Sequence, residues 1–102
     1  MHGVVSMVVG ILQIELAIEW AGSLKDKRRV VNSLKDRLHR QHQVSVAEVD
    51  SQDEPRRAIL GITLASNSVP HAQSVLSRLL DKLKTHPDCF VSDHRLEILT
   101  GQ

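Results

Sequence analysis

From Val8 to Trp20, every even-numbered position except Gly10 carries a large apolar side chain (Val8, Leu12, Ile14, Leu16, Ile18, Trp20), while Gln13, Glu15 and Glu19 occupy odd ones. Side chains in an extended chain alternate between faces, so period two over this length dictates a strand with one face buried. The rest of the chain must supply what covers it. Gly22 interrupts the alternation, and Ser23 follows as an N-cap whose hydroxyl accepts from a first-turn amide. Beyond it the period becomes helical: Leu24, Val30, Val31, Leu34 and Leu38 fall in one stripe at about 100° per residue. Lys25, Arg29, Asn32, Ser33, Asp36 and Arg40 lie opposite. Arg28, Lys35 and His39 flank the stripe on one side and Arg37 on the other.

Val44 to Val49 is short and β-branched, and Ala58 to Ala65 alternates again, with Ala58, Leu60, Ile62 and Leu64 on one face. The polar run Asp50 to Pro55 between them predicts a hairpin loop. Asn67 or Ser68 caps a second helix with Pro70 in its first turn. Its stripe is Ala72, Val75, Leu76, Leu79, Leu80 and Leu83, and Pro87 is expected to end it. Phe90 to Leu99 returns to an extended pattern. The order β-α-β-β-α-β predicts an α+β domain of the ferredoxin-like kind: a four-stranded antiparallel sheet with two helices on one face, reached by two split βαβ crossovers. One domain accounts for residues 1–102, with 1–6 read as an N-terminal extension and Met7 as the start.

A chain of 102 residues has room for one core. Cys89, the single cysteine, has no internal partner for a disulfide, which points to a reducing compartment and hence the cytoplasm. The apolar run from Val4 to Leu12 lacks the basic start and small-residue cleavage site of a signal peptide, and no span is apolar enough for a membrane.

Charge is distributed unevenly. Between Ser23 and Gln41 stand Lys25, Lys27, Arg28, Arg29, Lys35, Arg37 and Arg40 against only Asp26 and Asp36, a surplus of five in a chain whose formal net charge is +1. Everything outside that segment is therefore acidic on balance.

The run Ser23-Leu24-Lys25-Asp26-Lys27-Arg28-Arg29-Val30, followed by Val44-Ser45-Val46-Ala47-Glu48-Val49, Gln52-Asp53 and Arg57-Ala58-Ile59-Leu60-Gly61, resembles the YlxP-like family of small bacterial proteins, a domain of unknown function. The likeness runs from about Met7 to Leu99. It implies a ferredoxin-like fold and a bacterial cytoplasmic protein. Genes of the family tend to stand near those of translation and ribosome-maturation factors, which implies a role with RNA or the ribosome. One departure is visible: many members carry Leu-Trp after Gln-Asp, whereas this chain has Glu54-Pro55.

No catalytic constellation emerges. Acylphosphatases share the expected fold, but they need a glycine-rich anion cradle with an arginine and a placed asparagine. Gly22-Ser23-Leu24-Lys25 offers only a helix N-terminus. His39 and His42 lack further ligands for a metal and suit the negative end of a helix instead. Asp50, Asp53 and Glu54 read as a solvated loop, Cys89 as a packed thiol, and Trp20 and Phe90 as core or strand-end packing. No cofactor is implied.

The functional expectation is a non-enzymatic RNA- or ribosome-associated protein that docks on phosphates through Lys25, Arg28, Arg29, Lys35 and Arg40. The outward sheet positions (Val9, Ile11, Gln13, Glu15, Ile59, Gly61, Thr63, Arg95, Glu97) include no aromatic, which weighs against base stacking there. Val9, Ile11 and Ile59 support an alternative, a homodimeric interaction module.

Overall fold

A computed structural model describes residues 7–101, so the proposed extension at 1–6 lies outside the described residues. The elements are β1 (Met7–Ala17), α1 (Leu24–His42), β2 (Ser45–Asp50), β3 (Arg57–Ser66), α2 (Val69–Lys84) and β4 (Phe90–Gly101). The sheet order is β2-β3-β1-β4, with every neighbouring pair antiparallel. This is the ferredoxin-like βαββαβ arrangement anticipated from the two alternating periods.

The even-numbered side chains of β1 meet the stripes of both helices in one core. Leu12, Ile14, Leu16, Leu60, Ile62, Leu76 and Leu79 are all essentially inaccessible there. Each such aliphatic side chain contributes roughly 1.5–3 kcal/mol on burial, which is why the periodic positions decide the fold.

Two glycines sit where a neighbour comes close. A Cβ on Gly10 would stand 2.8 Å from Cδ1 of buried Leu76, so the missing side chain lets α2 approach β1. A Cβ on Gly61 would stand 2.9 Å from Cγ1 of Val49, on the open face of the sheet.

Helix ends follow their caps. Ser23 accepts from the Asp26 amide at 3.1 Å and Ser68 from the His71 amide at 3.2 Å, so Ser68, and not Asn67, is the second cap. α1 stops at His42 because Gln43 turns left-handed (φ 54°) and donates its amide to the His39 carbonyl. α2 ends at Lys84, short of Pro87. The Thr85 amide and hydroxyl both donate to the Lys82 carbonyl and turn the chain there.

β1 also stops earlier than its alternation suggests. Ile18 remains buried and donates to the Arg56 carbonyl, but Trp20 lies in the turn beyond the strand and is half exposed. Each edge strand carries one extra residue. Val49 in β2 falls between the partners of Leu60 and Ile59, and Ser92 in β4 between those of Glu15 and Leu16. Of the apolar positions expected on the open face, Val9 and Ile11 are half-buried, whereas Ile59 is buried. Its register neighbours Glu15 and Asp50, and the ion pair between Glu15 and Arg57 at 2.6 Å, lay their stems beside it.

Candidate nucleic-acid interface

Folding converts the charge asymmetry of one segment into an asymmetry of layers. α1 and α2 carry ten of the chain's thirteen basic residues, the seven of α1 plus Arg78, Lys82 and Lys84, and only three of its twelve acidic ones, Asp26, Asp36 and Asp81. Strands and loops hold the other nine acids against Arg56, Arg57 and Arg95. The helices are therefore basic and the strands and loops acidic on balance, which gives the molecule an uneven field.

The five cations singled out from sequence all lie off the core face of α1, but they do not share one surface. Arg28 and Lys35 stand roughly 120–140° around the helix from Arg40. Lys25, Arg28, Arg29 and Arg40 are exposed and Lys35 half-buried. Arg29 is ion-paired to Asp26 at 2.8 Å, and Arg40 Nε donates to the Asp36 carbonyl of its own helix at 3.3 Å.

Lys27 has a different fate. Its side chain is wholly buried at the N-terminal end of α1, and its ammonium donates to the carbonyls of Ser51 (2.7 Å), Gln52 (3.2 Å) and Arg57 (3.2 Å). Glu48 Oε2 stands 2.8 Å away and takes no other partner. The β2–β3 loop needs this anchor, because Ser51 is left-handed (φ 63°) without being glycine, a conformation that costs roughly 1–2 kcal/mol. The Asp50 carboxylate holds the Ser51 amide at 2.7 Å while Lys27 holds its carbonyl. The Lys-Asp-Lys run and the Glu-Val…Gln-Asp run thus meet in space through one ammonium. This role escaped the sequence reading, although Lys27 falls in the middle of the apolar stripe, and a cation there demands a buried partner.

The N-terminus of α1 is already occupied by its own chain. Asp26 accepts from the Gly22 amide at 3.0 Å, and this bond, with Arg29 alongside, holds its carboxyl below the ordinary aspartate range. An external anion finds the position filled. His39 Nδ1 lies 2.8 Å from the Val44 carbonyl, and His42 lies 3.4 Å from Lys82 Nζ. Burial, then Lys82 and Arg78, push the His42 pKa down. Among the described residues no group of three or more His, Cys, Asp or Glu converges as metal ligands would. Burial, with Asp88 nearby, pushes the Cys89 thiol up to about 11, so it stays protonated at neutral pH and is a poor nucleophile. Among the described residues no helix is long and apolar enough to cross a membrane.

Of the two places expected for Trp20 and Phe90, the core is not the one they take: Phe90 opens β4 and Trp20 lies in the turn beyond β1, at 47% and 52% exposed. Both flank the loop joining α2 to β4. A groove of about 440 Å³ runs between the helices over Leu34, Leu38 and Leu83, with Arg37, Lys82 and His86 along it. It adjoins a smaller one of about 230 Å³ walled by Trp20, Arg29, Arg37 and His86. Arg37, Lys82 and His86 were not among the expected site residues. Arg37 flanks the helical stripe, as the periodicity indicates, but only the fold reveals that this flank faces the α2–β4 loop.

The comparisons agree with this architecture. The chain is 32% identical over 81 residues to the "Uncharacterized protein YlxP" of Bacillus subtilis (strain 168), covering 79% of this chain and 88% of that one. Among solved structures it is similar to the "De novo designed protein Foldit4", with a TM-score of 0.52 and 14% identity over 94% of this chain and 97% of that chain, a likeness of fold alone. The model of one family matches residues 9–96, and the chain belongs to that family, described as "Protein of unknown function (DUF503)".

Proposed function

We propose that the protein is a non-enzymatic accessory factor that docks on RNA, free or in the ribosome, through its helical layer. The observation that carries this reading is the division of charge between layers, with ten basic and three acidic residues on the two helices. Lys27 is subtracted from that surface because it is buried, and Arg29 is partly satisfied by Asp26. Lys25, Arg28, Lys35, Arg37 and Arg40 remain on α1 and Arg78, Lys82 and Lys84 on α2, so the cations are spread around the helical layer, and Arg37 and Lys82 line one groove between the helices. Docking through four or five phosphates gives log affinity a slope against log salt of about −3 to −4.5. Replacing Arg28, Arg29 and Arg40 by glutamate should weaken RNA binding and flatten that slope without unfolding the domain, since none of the three touches the core. Unchanged affinity and slope in the triple variant, measured by fluorescence anisotropy, would sink the proposal.

A second reading is favoured by one observation. Met7 and Leu99 are half exposed and lie with Val9 and Ile11 at one end of the open sheet face, an apolar patch suited to a second copy. The acidic balance of the sheet side opposes such pairing. On this reading light scattering should show dimers at micromolar concentration that dissociate in Leu99→Lys, and a constant monomer mass would remove it.

A further inference from the structure

Trp20 and Phe90 are the only tryptophan and phenylalanine of a chain without tyrosine, and neither is committed to the core. Trp20 is nonetheless held: its indole Nε1 donates to the Asp88 carbonyl at 2.7 Å. The ring walls two grooves, one toward Arg29 and Arg37 and one of about 440 Å³ toward Pro87 and Phe90. The Asp88 amide donates to His86 Nδ1 at 3.1 Å, so the ring proton of neutral His86 resides on Nε2, a free donor beside the groove.

We propose that this corner is a stacking site for a base of single-stranded RNA, with Trp20 as the platform. The inference rests on the helical layer being the RNA-docking surface, and it names the form of RNA and the point of base contact. A tethered aromatic face next to cations is the combination that binds unpaired nucleotides irrespective of sequence. Here the cations come from both helices, Arg29 and Arg37 from α1 and Lys82 from α2, and the loop adds the neutral His86 donor. Asp88 borders both grooves, but Glu19 lines only the one toward Phe90 and Arg29 and Arg37 only the one toward α1, which directs phosphates to the α1 side and leaves the Phe90 side for apolar contact. The smaller groove, at about 230 Å³, is below the roughly 300–1,000 Å³ of a pocket that encloses a whole small ligand. One planar ring with its backbone outside suits it better. The site also explains how a sheet without outward aromatics in its middle coexists with RNA docking: the stacking surface has moved to the helix ends.

Trp20 is its own reporter, because its emission is the only tryptophan signal of the protein. Titration with a 12-nucleotide oligoadenylate should quench Trp20 with the midpoint seen by anisotropy of the labelled strand, and a duplex of equal length should quench it little. Trp20→Ala should weaken single-strand binding roughly 5- to 150-fold, the loss of one base stack. Trp20→Phe, which loses the Asp88 bond but keeps a ring, should retain most of the affinity. RNA that binds with the expected salt slope yet leaves Trp20 emission and Trp20→Ala affinity unchanged would overturn the stacking site while leaving helical docking intact. Failure to bind any RNA would overturn both. Emission that changes on dilution of the protein alone would assign the corner to a second copy and overturn the proposal.

Discussion

Lys27→Met should lower the free energy of unfolding by about 3–5 kcal/mol, the range for removing one partner of a buried ion pair. Methionine keeps most of the stem volume, so the loss isolates the ammonium. The carbonyls of Ser51, Gln52 and Arg57 and the Glu48 carboxylate would all lose the ammonium, Ser51 keeping only the Glu54 amide at 3.0 Å. Glu48 retains 17% side-chain exposure and partly recovers water, which favours the lower end of the range. For a domain of about this size each kcal/mol moves the melting midpoint by roughly 4–8 °C, so the midpoint should fall by more than ten degrees. Pairing the change with Glu48→Gln should be less costly than the sum of the two single changes, because the second removes the stranded charge. A melting temperature within two or three degrees of the parent would show that the loop does not depend on this anchor.

Gly10→Ala should cost about 1–3 kcal/mol, the typical penalty for overpacking a core, whereas Gly61→Ala should stay within about 1 kcal/mol of the parent. The added methyl meets a neighbour at nearly the same distance in both, 2.8 Å from Leu76 and 2.9 Å from Val49. The difference is what that neighbour can do. Leu76 is wholly buried between α2 and β1 and has nowhere to turn, whereas Val49 is 51% exposed at a bulge in an edge strand. Both changes remove a strand-interior glycine, which offsets roughly 0.5–1 kcal/mol of either loss and leaves the contrast between them to the neighbour. Chemical denaturation of the two variants decides the matter, and equal losses would count against close helix approach at Gly10.

The architecture was legible because the periods of apolar residues directly encode which faces are buried. β1, α1 and α2 were readable from Leu12 to Ile18, Val30 to Leu38 and Ala72 to Leu83, where burial and periodicity coincide. Positions where a residue's environment contradicts its type were not readable. Lys27 entered only the charge count and was assigned no place, since its partner Glu48 belongs to a different element and the accepting carbonyls leave no mark in the side chains. Gln43 and Ser51 occupy left-handed positions without the glycine that would signal them. Trp20 continued the even-numbered apolar pattern past the point where the chain had turned out of the sheet. The basic character of α1 was plain from composition, but its continuation onto Arg78, Lys82 and Lys84, and the meeting of Arg37 with the α2–β4 loop, depend on how the helices lie.

The two extra residues of the sheet bear on how this protein tolerates crowding. Both fall on edge strands, Val49 on β2 and Ser92 on β4, and Ser92 turns its hydroxyl back to the Glu15 carboxylate at 2.8 Å. An irregular rim offers a poor template to an incoming chain, because hydrogen bonding in register fails where the ladder is broken. Strand-by-strand growth into fibres is thereby discouraged at both margins. Contacts through the faces, where charge and shape select the partner, are favoured over edge-to-edge pairing as a result.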